Sequence, residues 1–118
     1  MTPPKTLTAP LVIAVDCSTT AAKAIIVDAQ GQVVGTGARA LETRSPAPHW
    51  FEQDGTHWWT ATNEAITQAL EELPDPRAVA AVCITHQRES FVCLDEDGIP
   101  IRPAILWMAG RAAAEARS

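Results

Sequence analysis

Two short, uninterrupted apolar runs place the strongest limit on the fold of this chain. They are Leu11–Val15, which reads LVIAV, and Ala78–Ile84, which reads AVAAVCI. Apolar runs of this length, without polar alternation, are typical of strands that are buried on both faces of a parallel or mixed sheet. Both are much shorter than the roughly 20 apolar residues that a membrane-spanning helix requires. The sequence therefore predicts a sheet with two central strands, and it predicts no membrane association.

The residues after the first run predict an antiparallel hairpin. Ala22–Asp28 and Val33–Leu41 have the composition of strands, and the AQGQ segment between them supplies a turn in which Gly31 can adopt positive φ. Within the later strand, Gly35 and Gly37 predict a bulge or a close crossing. The first three strands are therefore expected to be neighbours in one sheet.

An amphipathic helix is predicted from Thr56 to Leu73, before the second apolar run. Asp54 is a suitable N-cap, and Pro74 and Pro76 end the segment. The predicted apolar face consists of Trp59, Ile66, Leu70 and Leu73. A helix followed by an apolar strand indicates a crossover that returns to the existing sheet, so the chain is expected to be of the α/β class.

The C-terminal part predicts shorter elements. Phe91–Ile101 predicts a strand, a turn at Asp97 and Gly98, and a short return; Ala104–Trp107 predicts a further apolar strand; and residues 110–118 predict the beginning of a helix. At the other end, residues 1–10 contain three prolines and predict a flexible tail. With 118 residues there is room for one core, formed by residues 11–118 as a mixed sheet with flanking helices.

The charge and the cysteines argue against several classes of function. The net charge is −5 and the nine basic residues are scattered, whereas nucleic-acid binding requires a concentrated basic face. Cys17, Cys83 and Cys93 lack C-x-x-C spacing and lie in or beside apolar runs, which predicts reduced core thiols and no disulfide or zinc site. The N-terminus lacks the apolar core of a secretory signal, so a cytoplasmic location is predicted.

The loop that follows the first apolar run is one candidate site. Asp16 ends that run, and Ser18, Thr19 and Thr20 form a polar turn behind it. Such a loop can donate amides and hydroxyls to phosphate oxygens while the carboxylate faces a metal ion, and Lys23 adds a positive charge nearby. The alternative is that Asp16 only forms an Asx turn that closes the hairpin.

The polar segment THQRES, which follows the second apolar run, is the other candidate site. Ligands of α/β sheets usually bind beyond the carboxyl ends of the strands, where His86, Gln87, Arg88 and Glu89 are expected to lie. The guanidinium donates and the carboxylate accepts, a combination that suits the hydroxyls of a sugar or polyol. The alternative is a structural Arg–Glu ion pair on a turn, with His86 and Gln87 capping backbone groups.

Trp107 ends the last predicted strand and is a third candidate. An indole packs against the C–H faces of sugars and donates a hydrogen bond from Nε1. The alternative is an ordinary core tryptophan.

Three segments, taken in order, resemble the FGGY family of carbohydrate kinases, the group of glycerol kinase and xylulokinase. AVDCSTTAAKAIIVDAQGQVV is similar to the first hairpin of that family, whose phosphate loop reads D-x-G-T-T before a basic residue. PHWFEQDGTHWW is similar to the P-x-W-x-E-x-D segment that precedes its first long helix. ITHQRESFVCLDEDGIPIRPAILWMAGR is the most specific match, and its QRE is the form found in glycerol kinase. The resemblance runs from about residue 11 to residue 118.

The resemblance implies an actin-like, ribonuclease-H-like fold and the transfer of phosphate from ATP, with Mg²⁺, to a hydroxyl of a sugar or polyol. It implies a nucleotide-phosphate set formed by Asp16, Ser18, Thr19, Thr20 and Lys23, in which Asp16 positions the metal, and a substrate set formed by His86, Gln87, Arg88, Glu89 and Trp107. The catalytic aspartate of the family lies beyond a position equivalent to Ser118, as does the domain that holds the adenine. No residue of this chain is therefore assigned as general base.

The chain departs from the family pattern in three ways. Ser18 stands where the phosphate loop usually has glycine, Ala109 stands where many relatives have the acid of W-x-D-x-R, and family members are several times longer. The third departure predicts an incomplete N-terminal domain without its second domain, inactive alone and able to self-associate through exposed core surface. Two other hypotheses stay open. One is a stand-alone, non-catalytic fragment that binds a ligand or a partner chain, or a truncated gene product with no role; the other is an unrelated small α/β binding module. QRE favours a glycerol-like substrate, whereas AILWMAGR favours xylulose.

Overall fold

A computed structural model describes residues 9–118 of the chain. Its strands are β1 (Leu11–Cys17), β2 (Ala21–Val27), β3 (Val33–Ala40), β4 (Glu52–Gln53), β5 (Val79–His86) and β6 (Ala104–Ile105), and its α-helix is α1 (Gly55–Leu70). Short 3₁₀ turns cover Pro76–Ala78 and Glu115–Arg117. Most of the tail predicted for residues 1–10 lies outside the described residues.

The main sheet has four strands in the order β3-β2-β1-β5. Strand β2 is antiparallel to both β1 and β3, whereas β5 is parallel to β1. The hairpin between β2 and β3 is confirmed, and Gly31 adopts a φ of 77° in its turn. The helix and the parallel return of β5 form the predicted crossover, so the sheet is mixed, as expected for the α/β class.

Helix α1 packs very closely on one face of the sheet. The Asp54 side chain accepts a hydrogen bond from the Thr56 amide at 2.9 Å, which confirms the predicted N-cap. A Cβ atom added at Gly37 would lie 1.9 Å from the carbonyl oxygen of Ala65, and one added at Gly35 would lie 2.4 Å from that of Ala69. The two glycines of β3 therefore mark the predicted crossing, where helix backbone contacts sheet backbone.

This close approach corrects the predicted apolar face of the helix. The residues of α1 that are buried are Ala61, Thr62, Ala65 and Ala69. Trp59 is 70% exposed, and the helix ends at Leu70 instead of Leu73. Only small side chains fit between two backbones at this separation, so the larger apolar residues lie at the rim: Ile66 and Leu70 are half-buried against the core, and Leu73 is buried beyond the helix end.

Strand β5 is the second correction, because it is exposed where burial on both faces was expected. Within residues 9–118 it lies at the edge of the sheet and pairs with β1 alone. Val82 is 53% exposed and Ile84 61% exposed. The expectation of core thiols holds only for Cys17, since Cys83 on β5 and Cys93 are exposed. The apolar composition of this strand thus reflects surface left uncovered by the described residues.

The C-terminal part contains less regular structure than predicted. Within Phe91–Ile101 there is a turn in which Gly98 adopts a φ of 79°, but only isolated bridges, such as that between Leu94 and Pro100, replace the predicted strands. The strand predicted for Ala104–Trp107 is reduced to two residues, Ala104 and Ile105, which pair with β4. Residues 110–118 form turns and one 3₁₀ turn where an α-helix was expected to begin.

Candidate functional site

The two predicted candidate segments lie side by side at one edge of the main sheet. In the parallel register of β1 and β5, Asp16 lies opposite Thr85 and Cys17 lies opposite His86. The backbone amide of Gln87 donates to the carbonyl oxygen of Cys17 at 3.1 Å, so the pairing continues beyond the end of β5. Because parallel strands have their carboxyl ends at the same edge, the loop after β1 and the loop after β5 are neighbours.

Asp16 is exposed and bonded across the strands. The Thr85 hydroxyl donates to Asp16 Oδ1 at 2.8 Å. The turn between β1 and β2 is closed by Ser18 instead, whose amide and hydroxyl both donate to the Ala21 carbonyl oxygen at 3.0 Å. Asp16 therefore does not form the Asx turn considered as an alternative, and its carboxylate faces the edge of the sheet.

Lys23 lies beside Asp16 on the neighbouring strand. The two residues are directly opposite in the antiparallel register of β1 and β2, and both line an open groove of about 210 Å³. Cys83 and Thr85 of β5 line the same groove. A carboxylate and an ammonium group thus border one open surface next to the Ser18–Thr20 turn.

The second segment borders a larger open pocket of about 530 Å³. Its lining consists of the five residues predicted to bind the substrate, His86, Gln87, Arg88, Glu89 and Trp107. Arg88 and Glu89 are both exposed, and no ion pair joins them among the salt bridges of residues 9–118. Glu89 has a φ of 63°, a conformation that is uncommon for a residue other than glycine and is found disproportionately at ligand sites.

Trp107 connects the pocket to the loop after β1. Its Nε1 donates to the Thr19 hydroxyl oxygen at 3.1 Å, and its backbone amide donates to Ser90 Oγ at 3.0 Å. The side chain is 55% exposed, so it is not a core tryptophan. One indole face is therefore available to the pocket while its edge is fixed to the other loop.

Gln53 is buried beneath both loops and was not singled out by the sequence. It is 2% exposed, and its amide hydrogen-bonds to Thr19, Thr43, Trp58 and Gln87. Trp58 in turn packs edge-on against His86, with ring centres 4.9 Å apart. In the sequence, Gln53 is one residue of the PHWFEQDG segment. Nothing in that segment indicates which groups its side-chain amide contacts.

Glu52, the acid of the segment that is similar to P-x-W-x-E-x-D, lies next to Gln53 and was given no role from the sequence. Glu52 Oε1 accepts from Arg102 Nη2 at 2.9 Å and from Arg111 Nη1 at 2.7 Å. The Arg111 guanidinium lies over the Trp50 ring, 4.1 Å from its centre, and its Nε and Nη2 atoms are buried without a partner. Glu52 thus ties the segment after Trp107 to β4, which carries both Glu52 and Gln53.

Cys17, which lies next to Asp16, has a clearly displaced acid–base equilibrium. Burial raises the pKa of the Cys17 thiol, the negative charge of Asp16 adds to this rise, and a hydrogen bond with Thr62 opposes it. The thiol therefore stays protonated at neutral pH and has little nucleophilic character.

Across the described part of the chain, no three His, Cys, Asp or Glu side chains come together in an arrangement that could hold a metal ion. Among residues 9–118, no helix has both the length and the apolar character of a membrane span.

The mixed sheet, its crossover helix and the polar edge place this chain in the actin-like ATPase fold class. The structure superposes on a xylulose kinase from Rhodospirillum rubrum with a TM-score of 0.81 at 29% identity, covering 91% of this chain and 23% of that one. A second structure, a xyloylose kinase from Brucella ovis, gives a TM-score of 0.85 at 29% identity with the same coverage.

The chain belongs to the FGGY family of carbohydrate kinases, because the model of that family's N-terminal domain matches residues 11–118. It is 37% identical over 103 residues to the glycerol kinase of Thermococcus gammatolerans, and 41% identical over 109 residues to the xylulose kinase of Streptomyces coelicolor. These matches cover 86% and 92% of this chain. The chain spans only about a fifth of the relatives' length, 21% and 22% respectively.

Proposed function

We propose that this chain is the N-terminal part of an ATP-dependent kinase that transfers the γ-phosphate to a hydroxyl of a sugar or polyol. One observation carries the proposal: the loop after β1 and the loop after β5 meet at one sheet edge, joined by the hydrogen bonds of Gln87 to Cys17 and of Thr19 to Gln87. A phosphate-binding loop and a hydroxyl-binding loop must be adjacent for phosphoryl transfer, which depends mainly on positioning and charge neutralisation.

The loop after β1 is assigned to the nucleotide phosphates and to Mg²⁺. Asp16 offers a hard oxygen ligand at an exposed edge, with one oxygen oriented by Thr85. Magnesium in such sites is usually held by one or two carboxylates together with the phosphates, so the Asp16 carboxylate suits a magnesium–nucleotide complex. When bound, the metal would neutralise phosphate charge.

The remaining residues of this loop would contact the phosphates themselves. Thr20 is exposed, and its hydroxyl lies at the edge of the sheet together with the backbone amides of Thr19 and Thr20. Lys23, across from Asp16, would add a positive charge. The Ser18 hydroxyl already donates a hydrogen bond to the Ala21 carbonyl oxygen. The role assigned to Ser18 is therefore to stabilise the turn.

The pocket beside the loop after β5 is assigned to the sugar or polyol. Arg88 and Glu89 are exposed at its wall and not paired with each other, which leaves a planar set of donors and a pair of acceptor oxygens for substrate hydroxyls. Trp107 would pack against the C–H face of the substrate. His86 and Gln87 complete the lining, and Gln87 also bonds to Thr19.

This chain supplies binding and orientation, and we assign none of its residues as general base for the attacking hydroxyl. The 118 residues are therefore expected to be inactive alone. Both glycerol kinases and xylulose kinases are among the relatives, so a glycerol-like polyol and a ketose are the two substrate classes proposed. We place the activity in the cytoplasm, since the three cysteines are free thiols and a reducing compartment keeps them so.

The proposal is tested by grafting residues 11–118 onto complete enzymes. The segment replaces its counterpart in the Streptomyces coelicolor xylulose kinase and in the Thermococcus gammatolerans glycerol kinase, and ADP formation is measured with ATP, Mg²⁺ and each candidate substrate. The parent enzymes and deletions of the segment are the controls. Activity that depends on a sugar or polyol in either chimera is expected. Two folded chimeras that form no ADP in response to any substrate would refute the kinase function.

The exposed edge of β5 favours a second candidate, self-association of the 118-residue chain. Strand β5 is eight residues long and contains no charged residue or proline, the devices that usually prevent edge pairing. Val82 and Ile84 add exposed apolar surface, and a second copy of the chain presents the same strand.

Light scattering over a range of concentrations tests this association. A mass above 12.6 kDa is expected for the wild type, and a return to 12.6 kDa for a Val82→Lys, Ile84→Lys variant. The matched control is Ile101→Lys, an equally exposed residue outside β5. A wild-type chain that stays at 12.6 kDa throughout would refute the candidate.

A further inference from the structure

The Gln53 amide uses all of its hydrogen-bonding capacity. Nε2 donates to the Thr19 carbonyl oxygen and, at 3.0 Å, to the Thr43 hydroxyl. Oε1 accepts from Trp58 Nε1 at 2.7 Å and from Gln87 Nε2 at 3.2 Å. A primary amide has two donors and can accept two bonds, so no group is left over. A fully satisfied and buried side chain of this kind is held in one orientation.

The orientation of the amide cannot be reversed. Exchanging its oxygen and nitrogen would bring the nitrogen against two donors, Trp58 Nε1 and Gln87 Nε2, and the oxygen against the Thr19 carbonyl. Each of these partly buried groups would then lose the partner it has in Gln53, which is unfavourable. The partners around Gln53 therefore determine which end faces which loop.

Gln53 closes a ring of hydrogen bonds that includes both loops. From Gln53 the ring passes to Thr19 through the carbonyl oxygen, from the Thr19 hydroxyl to Gln87 Oε1 at 3.2 Å, and from Gln87 Nε2 back to Gln53. Ser90 Oγ also donates to Gln87 Oε1 at 2.9 Å, and Trp107 donates to the Thr19 hydroxyl. The three members of the ring come from three different segments: Thr19 from the loop after β1, Gln53 from strand β4 and Gln87 from the loop after β5.

We propose that Gln53 is a positioning residue that fixes the separation of the phosphate loop and the sugar-binding loop. It lies under both loops and lines neither the pocket of Arg88 and Glu89 nor the groove of Asp16 and Lys23. Its effect is therefore exerted through Thr19 and Gln87. This inference rests on the proposed function for its consequence in catalysis, but the coupling of the two loops is a property of the chain itself.

The coupling is tested first without any activity, by ¹⁵N NMR of the 118-residue chain. The indole Nε1–H signals of Trp58, Trp107 and Trp59 report on three different environments. The Nε1–H of Trp58 donates to Gln53, the Nε1–H of Trp107 donates to Thr19, and Trp59 is largely exposed. In Gln53→Met, which has a similar shape but no hydrogen bonds, the Trp58 and Trp107 signals are expected to shift while that of Trp59 stays in place.

Gln53→Glu distinguishes the hydrogen bond that Gln53 accepts from the one that it donates. It also serves as the second variant if Gln53→Met does not fold. Its carboxylate retains an acceptor for Trp58 but replaces the donor to Thr19 by an oxygen. The Trp107 signal is therefore expected to move more than the Trp58 signal. Gln30→Met is the matched control, since Gln30 is an exposed turn residue whose backbone amide alone is bonded, and all indole signals should stay in place. A Trp107 signal that does not move in either folded Gln53 variant would overturn the inference.

The consequence for catalysis is read in an active chimera. Misplacing reacting groups by about 1 Å can cost on the order of a hundredfold in rate. Gln53→Met is therefore expected to lower kcat at least tenfold, with KM for ATP and for the sugar within about threefold, because the groups that contact each substrate remain. An unchanged kcat would overturn the positioning role and leave the kinase function intact. Wild-type chimeras without activity would instead refute the kinase function, and the NMR result would still decide the coupling.

Discussion

The contact between β3 and α1 gives a prediction that depends on one atom. Gly37→Ala adds a Cβ that would lie 1.9 Å from the Ala65 carbonyl oxygen, 2.9 Å from its carbonyl carbon and 3.1 Å from the Ala69 nitrogen. An ordinary van der Waals contact begins at 3.4 Å, so the first of these is about 1.5 Å too short. All three atoms belong to backbone, so no change of rotamer can relieve the overlap.

The expected loss of stability in Gly37→Ala follows from the distance that helix α1 must move. It has to withdraw from the sheet by roughly 1 Å or more, and Ala65 and Ala69, both fully buried at this interface, would lose their close contacts. Overpacking of a well-packed core typically costs about 1–3 kcal/mol, and a backbone overlap of this size is expected at the upper end, about 3 kcal/mol. That is a large fraction of the roughly 5–15 kcal/mol that stabilises a typical domain.

Urea unfolding followed by tryptophan fluorescence measures this loss. Gly37→Ala should lower the midpoint with little change in the slope with denaturant, as expected for a loss of stability alone. The control is Gly110→Ala, where the nearest contact of the new Cβ is 3.5 Å and a change within about 0.5 kcal/mol is expected. A Gly37→Ala variant that is as stable as the wild type would show that the helix and sheet are not in backbone contact.

Three further predictions concern buried groups. Glu52→Gln removes the charge that Arg111 depends on and should lower the free energy of unfolding by about 2–3 kcal/mol in the same urea assay; no loss would mean that the ion pair does not stabilise the fold. Burial raises the pKa of the Cys17 thiol, so the stabilisation that comes from the protonated thiol is fully present below the unfolded-state pKa of about 8.5 and is lost as pH rises through the folded-state pKa. In Cys17→Ala, the free energy of unfolding should therefore fall less steeply between about pH 8 and 10 than in the wild type. An unaltered slope would contradict this. In native protein at neutral pH, a maleimide should label the exposed Cys83 and Cys93 well before Cys17, as mass spectrometry of digested protein would show, whereas equal rates would contradict the burial of Cys17.

The sequence predicted the parts of the fold that depend on local pattern. The hairpin with Gly31, the N-cap at Asp54, the helix and the strand expected at Ala78–Ile84 all follow from composition and spacing. The structure contains them, with the strand running from Val79 to His86. Burial was less predictable, because it depends on which element covers which. The apolar run of β5 looked like a central strand, yet its position at the sheet edge follows from strand order, which local pattern does not encode.

The candidate site shows the same division. The two loops could be found because each is a polar cluster at the end of an apolar run, and the structure places Asp16 next to Thr85 and gathers His86–Glu89 with Trp107 around one pocket. Gln53 and Glu52 could not be found in this way. Their significance arises from partners 34 and 59 residues away in sequence, and a glutamine or glutamate in a loop segment carries no local sign of such contacts.

The division of labour between the two loops is tested most directly by two substitutions in an active chimera, with the apparent KM of each substrate measured separately. Glu89→Gln should raise KM for the sugar or polyol at least tenfold and leave KM for ATP within about twofold, because it removes an acceptor from the sugar pocket only. Asp16→Asn should lower kcat at least a hundredfold with KM for the sugar nearly unchanged, because it removes the charge assigned to the magnesium–nucleotide complex. If instead Glu89→Gln alters only the parameters of ATP, or Asp16→Asn leaves kcat unchanged, the assignment of the two loops is wrong.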